Sequence, residues 1–227
     1  MHTTWMSALF YPVLLVGFGA MESPAAAQTA EANATRAAAS RMHAPGRHAT
    51  PTAGTPVADD PSAFVPEGAT LIDTVRGDLT GRGTSDALIV FSPAAIDAQP
   101  LGNGQARTVV LLSRNASGNL QNVAENARIV PCERCGGIAG DPYAYARIEA
   151  GTVTLAVAGG SRERWFSDYV FRYAVEHGAL HLERVVRGVT DIQTGAQKQA
   201  ELTVADFGEI GFSDFDPETL PTAPTLH

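Results

Sequence analysis

Beyond residue 69, short apolar runs alternate with clusters of turn-forming residues, and almost no segment carries a helical period. Leu71 to Val75 predicts a strand, Asp86 to Phe91, with the apolar run Ala87-Leu88-Ile89-Val90, a buried strand, and Thr108 to Ser113 another. Residues 93–106 read as a loop ending in Gly102-Asn103-Gly104, and Asn115 to Asn119 as a turn before Leu120 to Val123. Ala144 to Glu149 and Thr152 to Val157 flank Ala150-Gly151, a hairpin signal. The clearest pattern is Arg164 to Val175. Trp165, Tyr169, Phe171 and Tyr173 occupy odd positions, and Arg164, Asp168 and Arg172 even ones. Strand side chains have period two, so the aromatics share a face. Phe166 and Val170 break the alternation, which predicts a partly covered second face. His177-Gly178 is the expected turn, Leu180 to Val186 the returning strand, and 191–201 a polar loop. Strands joined by short turns predict an all-β fold, an antiparallel meander or sandwich.

The amino-terminal quarter follows other rules. An apolar run from Trp5 to Met21 precedes Ala25-Ala26-Ala27 and Gln28, the pattern of a signal peptide over residues 1–27. The run is too short and too interrupted for a good membrane span, so none is expected after cleavage. Its start carries no Lys or Arg, which leaves an uncleaved anchor as the alternative. Residues 28–64 are rich in Ala, Thr, Pro and His and have no sustained apolar period. They cannot offset their ordering entropy and are expected to form a disordered linker. The domain is then expected over 65–216, with a flexible Pro- and Thr-rich tail at 217–227.

Composition narrows the function. The formal charge of the 227 residues is −8, and Glu22 is the only charged residue lost with 1–27. A negative domain has no electrostatic case for non-specific nucleic-acid binding. Of 16 basic residues only Lys198 is lysine.

Gly77 to Leu88 carries the most specific pattern. It resembles the calcium-loop part of an FG-GAP or integrin-like repeat, with Asp78 at the first ligand position, Gly83 at the turn glycine and Asp86 at the last acid. Calcium takes six to eight oxygens. Here Thr80 and Arg82 stand where further oxygens belong, so the loop reads as a single degenerate repeat. Arg82 is expected to bridge Asp78 and Asp86 as a fixed cation, residual Ca2+ and an ordinary polar turn being the alternatives. No cofactor is expected otherwise. The order of Gly77 to Asp86, Cys132 to Pro142, Gly159 to Trp165, Asp168 to Tyr173 and Asp206 to Asp216 is similar to a group of uncharacterised secreted bacterial proteins with an FG-GAP-like start. That resemblance implies one domain and no particular activity.

Cys132 and Cys135 are the only cysteines. A C-x-x-C pair serves as a redox centre, half a zinc site or a small disulfide. Pro131 before it and Gly136-Gly137 after it start no helix to lower a thiol pKa, and no second pair completes a zinc site. A disulfide is the expected state in an exported chain. No catalytic motif stands in its required context. Asp141, Asp168, Asp206, Glu209, Asp214 and Asp216 are the carboxylates from which a hydrolytic pair would come. Asp141, Arg162, Arg164, Trp165 and Arg172 form a candidate ligand surface, since aromatic plus Arg is the composition of binding hot spots. For Trp165 itself a core position, on the same face as Tyr169, is the preferred reading. The expected function is an exported, non-catalytic binding or interaction module, periplasmic or secreted, with a protein or glycan partner. A carbohydrate- or peptidoglycan-active hydrolase is the alternative, and a purely structural envelope protein a third reading.

Overall fold

The computed structural model describes residues 59–94, 100 and 102–226. The expected signal peptide, the linker to residue 58, and positions 95–99 and 101 of the expected loop lie outside the described residues. Nine strands form two antiparallel meanders, each in sequence order. The first sheet holds β1 (Thr70–Gly77), β2 (Asp86–Ser92), β3 (Arg107–Arg114) and β4 (Leu120–Val130). The second holds β5 (Tyr143–Glu149), β6 (Thr152–Gly160), β7 (Glu163–Ala174), β8 (Ala179–Asp191) and β9 (Gln197–Thr203). One four-residue helix, α1 (Val204–Phe207), follows β9. Among the described residues no helix is long and apolar enough to cross a membrane.

One core joins the sheets. Leu88, Val90, Val109 and Leu111 of the first meet Val153, Leu155, Tyr169, Phe171 and Val185 of the second. The aromatic alternation of β7 holds: Tyr169 and Phe171 are core residues, and Trp165 and Tyr173 pack against them. The continuous apolar run of β2 is explained by burial on both faces. Leu88 and Val90 enter the shared core, while Ala87, Ile89 and Phe91 form a second cluster covered by Phe64, Val65 and Ala69. The folded region therefore starts before residue 65. A single 3-10 turn, Pro61–Phe64, is capped by the Asp60 carboxylate, which accepts the Ser62 N–H at 2.9 Å.

Three segments differ from the sequence reading. The strand expected at Leu120 to Val123 runs to Val130, because register shifts against β3 absorb its broken alternation. The polar loop expected at 191–201 contains β9, an edge strand whose only inward apolar anchor is Leu202. An edge strand needs little hydrophobic content, so its sequence looks like a loop. The tail is anchored by Leu220, which is 8% exposed and belongs to the main core. Upstream of it, Phe212 and Phe215 meet Phe171 edge-on at 5.0 and 5.4 Å.

The β5–β6 turn puts Ala150 at φ 37° and Gly151 at φ 80°. Alanine in the left-handed region costs about 1–2 kcal/mol. Glycine has no such penalty, though it loses more chain entropy. Ala150→Gly is expected to stabilise the domain by roughly 0.5–1 kcal/mol, read as a higher urea midpoint.

Candidate functional site

The loop between β1 and β2 is built around its two acids. Gly81 and Gly83 adopt φ 72° and 79°, which lets successive N–H groups turn inward. Asp78 Oδ1 accepts from the backbone of Thr80 and Arg82 at 3.2 and 3.0 Å, and its Oδ2 from Gly83. Asp86 is fully buried. It accepts from Leu79 N and Thr84 Oγ1 on one oxygen and from Ser113 Oγ and Arg114 N on the other. Burial works against the charged form of Asp78, but the N–H groups of Gly83, Arg82, Thr80 and Gly81 prevail and hold its carboxyl below the usual range. The expected Arg82 bridge is not formed. Arg82 is exposed, and its Nε donates to Thr80 Oγ1 at 3.0 Å. The acids have no need of the guanidinium, because the loop's own donors already occupy them.

Cys132 and Cys135 form a disulfide with Cα atoms 5.1 Å apart. The cysteine loop and the 77–86 loop do not share a surface. In the first sheet Gly77 pairs with Asp86 at one end, whereas Arg107 pairs with Val130 at the other. Each end has its own cleft. A cleft of about 460 Å³ lies beside Thr80 and Arg82, closed by Tyr173, His181 and Asp214. A larger cleft of about 730 Å³ lies at the disulfide end.

Trp165, Tyr169 and Arg187 of β7 and β8, Arg128 of β4, the disulfide and the tail line this larger cleft. Trp165 owes its place to a glycine. Gly159 pairs with it across β6 and β7, and a Cβ there would sit 2.5 Å from the indole. Arg187 reaches the inner side through a bulge. Phe171 pairs with Leu182 but Val170 with Arg184, so Glu183 is extra. The inward set then changes from Leu180 and Leu182 to Val185 and Val189, and Arg187 shares their phase. Arg187 Nη1 donates to Pro221 O at 2.9 Å, while its Nε is the one buried side-chain polar atom without a hydrogen-bond partner among the described residues. Arg128 Nη2 donates to Ser213 O at 2.8 Å. The Tyr169 hydroxyl is pushed above its usual pKa by burial. The chain matches no family model, no curated protein and no solved structure.

The candidate ligand surface divides. Of its five residues only Trp165 lines the larger cleft. Asp141 holds Arg107, and Arg172 holds Glu183 in a separate polar depression on the second sheet. Arg164 Nη1 donates to Gly160 O. Arg162 holds Asp191 through two nitrogens at 2.9 and 2.6 Å. The Arg162 hydrogen bond, opposed by burial and helped by the N–H groups of Gln193 and Thr194, takes the Asp191 carboxyl down to about 2. Its contribution to stability is complete above the ordinary carboxyl value and disappears as pH falls through about 2. Arg162→Ala is expected to raise that titration toward the ordinary range, measured by carboxyl ¹³C NMR. The proposed hydrolytic acids are dispersed: Asp168 lies on β7, Asp206 caps α1, Asp214 lines the smaller cleft and Asp216 accepts the Glu218 N–H.

Arg128 and Arg187, the two arginines that do accompany Trp165, were not among the expected site residues. A signal existed for Arg187, which has the same strand phase as Val185 and Val189.

Proposed function

We propose that the domain is an exported, non-catalytic binding module of the bacterial envelope that takes its ligand in the cleft at the disulfide end. The observation that carries this reading is the convergence of Trp165, Tyr169, Arg128 and Arg187 on one concavity of about 730 Å³. Volumes of roughly 300–1,000 Å³ with a few placed polar groups are typical of ligand sites. Aromatic rings supply contact area at little entropic cost, and guanidinium groups supply directed donors. The leader-like amino terminus and the disulfide support export.

The test uses the full chain carrying Trp5→Phe, so that Trp165 is the only tryptophan. It is titrated with peptidoglycan fragments, envelope glycans and fractionated envelope proteins, and the fragments are analysed for products. The expected result is a saturable change in Trp165 emission, weakened at least tenfold by Arg187→Ala, with every fragment intact. Product release would make the domain a hydrolase, and unchanged emission across all fractions would remove the cleft as a binding site.

A further inference from the structure

The arginines of this domain are mostly matched to acids. Arg107, Arg114, Arg147, Arg162, Arg172 and Arg184 each hold a carboxylate. The two that line the larger cleft do not. Among the described residues Arg128 and Arg187 form no ion pair, and the printed bonds of their guanidinium groups go to neutral main-chain carbonyls, Ser213 O at 2.8 Å and Pro221 O at 2.9 Å.

Arg187 has the greater need. Arg128 is exposed, so water serves its remaining donors, whereas Arg187 is half-buried and its Nε is buried without a partner. A cation drawn out of water needs an opposite charge or a full set of acceptors. One carbonyl oxygen supplies neither. A carboxylate supplies both, because bonds from a guanidinium to an ionised acceptor are about twice as strong as bonds between neutral groups. The planar fork also meets two oxygens at once.

The tail now stands in that place. Leu220 is buried in the core, while residues 221–223 beyond it are exposed and belong to no helix or strand. Pro221 O lies on Arg187 Nη1, so a ligand that takes this corner of the guanidinium moves the tail aside. An anion is the better partner, since it brings the charge that the carbonyl lacks.

The other lining residues set the kind of anion. Ile129, Val157, Phe166 and Val189 join Trp165 on the cleft wall. An apolar body with a flat face suits such a wall. Glu163 and Glu218 line the cleft as well, and they repel a ligand that carries several negative charges.

Resting on the cleft as the binding site, we infer that its ligand is a flat apolar molecule with a single carboxylate, which Arg187 takes in exchange for the Pro221 carbonyl.

The probes are benzoate and its neutral isostere benzamide, at fixed ionic strength. Each is titrated into the full Trp5→Phe chain and into the same chain ended after Leu220, which keeps the buried anchor. Binding is read by ¹⁵N–¹H NMR from the Trp165 indole N–H and from the Arg187 Nε–H, the signal that Arg187→Gln lacks. The expected result is a saturable shift of both signals, with benzoate at least tenfold tighter than benzamide. Benzoate is expected to bind at least tenfold tighter again without the tail, and the preference over benzamide to vanish in Arg187→Gln. If the shortened chain does not keep the urea midpoint of the full chain, Pro221→Gly with Pro224→Gly in the full chain replaces it, with the same expectation. Equal affinity for the two probes, or equal affinity for benzoate with and without the tail, overturns the inference. A Trp165 response to envelope fractions with benzoate no better than benzamide also overturns it, while leaving the cleft as a binding site. Silence of Trp165 toward both probes and every fraction overturns the inference and the cleft together.

Discussion

Asp141→Asn is expected to destabilise the domain by about 3 kcal/mol, a larger loss than any surface ion pair would give. The partner, Arg107, is the first residue of β3, and its side chain is 1% exposed. Its Nη1 and Nη2 each donate to an Asp141 oxygen at 2.7 Å, and its Nε donates to Ser92 Oγ at 3.3 Å. Removing one partner of a buried pair costs about 3–5 kcal/mol, because a charge stays behind without compensation. Asp141 is 43% exposed, so solvent reaches the carboxylate side and the lower end applies. For a domain of this size the melting temperature falls by roughly 2–4 °C per kcal/mol, hence about 6–12 °C. Arg107→Met with Asp141→Asn is expected to recover most of the loss, since an apolar side chain of similar length removes the orphaned charge. A single variant melting within about 2 °C of the parent would show that the pair does not hold the two segments together.

The same pair gives the protein an acid limit. Burial penalises the Asp141 carboxylate, but the Arg107 hydrogen bonds, the Tyr143 N–H and the Arg107 charge outweigh it and lower its pKa. The group's contribution is therefore complete above the ordinary carboxyl value of about 3.9 and is lost as pH falls through the lower folded value. Unfolding near pH 3 should accordingly be easier than at pH 6, with Asp141→Asn showing the smaller difference.

What the sequence disclosed follows the range of the interactions involved. Alternation is local, so the shared face of Trp165, Tyr169, Phe171 and Tyr173 was legible. So was β2, whose apolar run has the length of a buried strand. The Arg107–Asp141 pair was not, because its members are 34 positions apart and each alone resembles a surface charge. Arg187 shares the phase of Val185 and Val189, but the extra residue at Glu183 puts it out of step with Leu180 and Leu182, so the strand read as a whole did not single it out. The 77–86 loop showed its acids and glycines correctly, but a side-chain cation was assigned a task that backbone N–H groups perform. Backbone donors leave no mark on a sequence. The separation of the 77–86 loop from the cysteine loop follows only from strand register, which no local pattern in the sequence discloses.

Asn126→Leu is expected to cost at least as much as loss of the buried ion pair, about 3–5 kcal/mol. Asn126 is 3% exposed, and four backbone groups depend on its amide. Nδ2 donates to Phe212 O and Phe215 O, both at 2.7 Å, and Oδ1 accepts from Arg128 N at 2.8 Å and Ile129 N at 3.2 Å. A leucine of similar volume keeps the packing but orphans all four groups, and each buried group left unpaired costs about 1–3 kcal/mol before relaxation. Relaxation is limited on the β4 side, where the strand is fixed by its ladder with β3. It is easier on the other side, where residues 208–216 form no strand. The expected result is therefore partly local: the carboxy-terminal segment loosens, Phe212 and Phe215 lose their edge-on contacts with Phe171, and amide exchange at 210–220 accelerates before global unfolding. The same loosening reaches the cleft, because Arg128 lines it while donating to Ser213 O, and because the tail continues from this segment. Asn126→Asp separates the two halves of the clamp, since it keeps the acceptor for Arg128 N and Ile129 N but loses both donors to the phenylalanine carbonyls. It should accelerate exchange at 210–220 as Asn126→Leu does while leaving β4 protected. Equal protection of both segments in both variants would show that the amide is not what fastens the carboxy-terminal segment to the sheet.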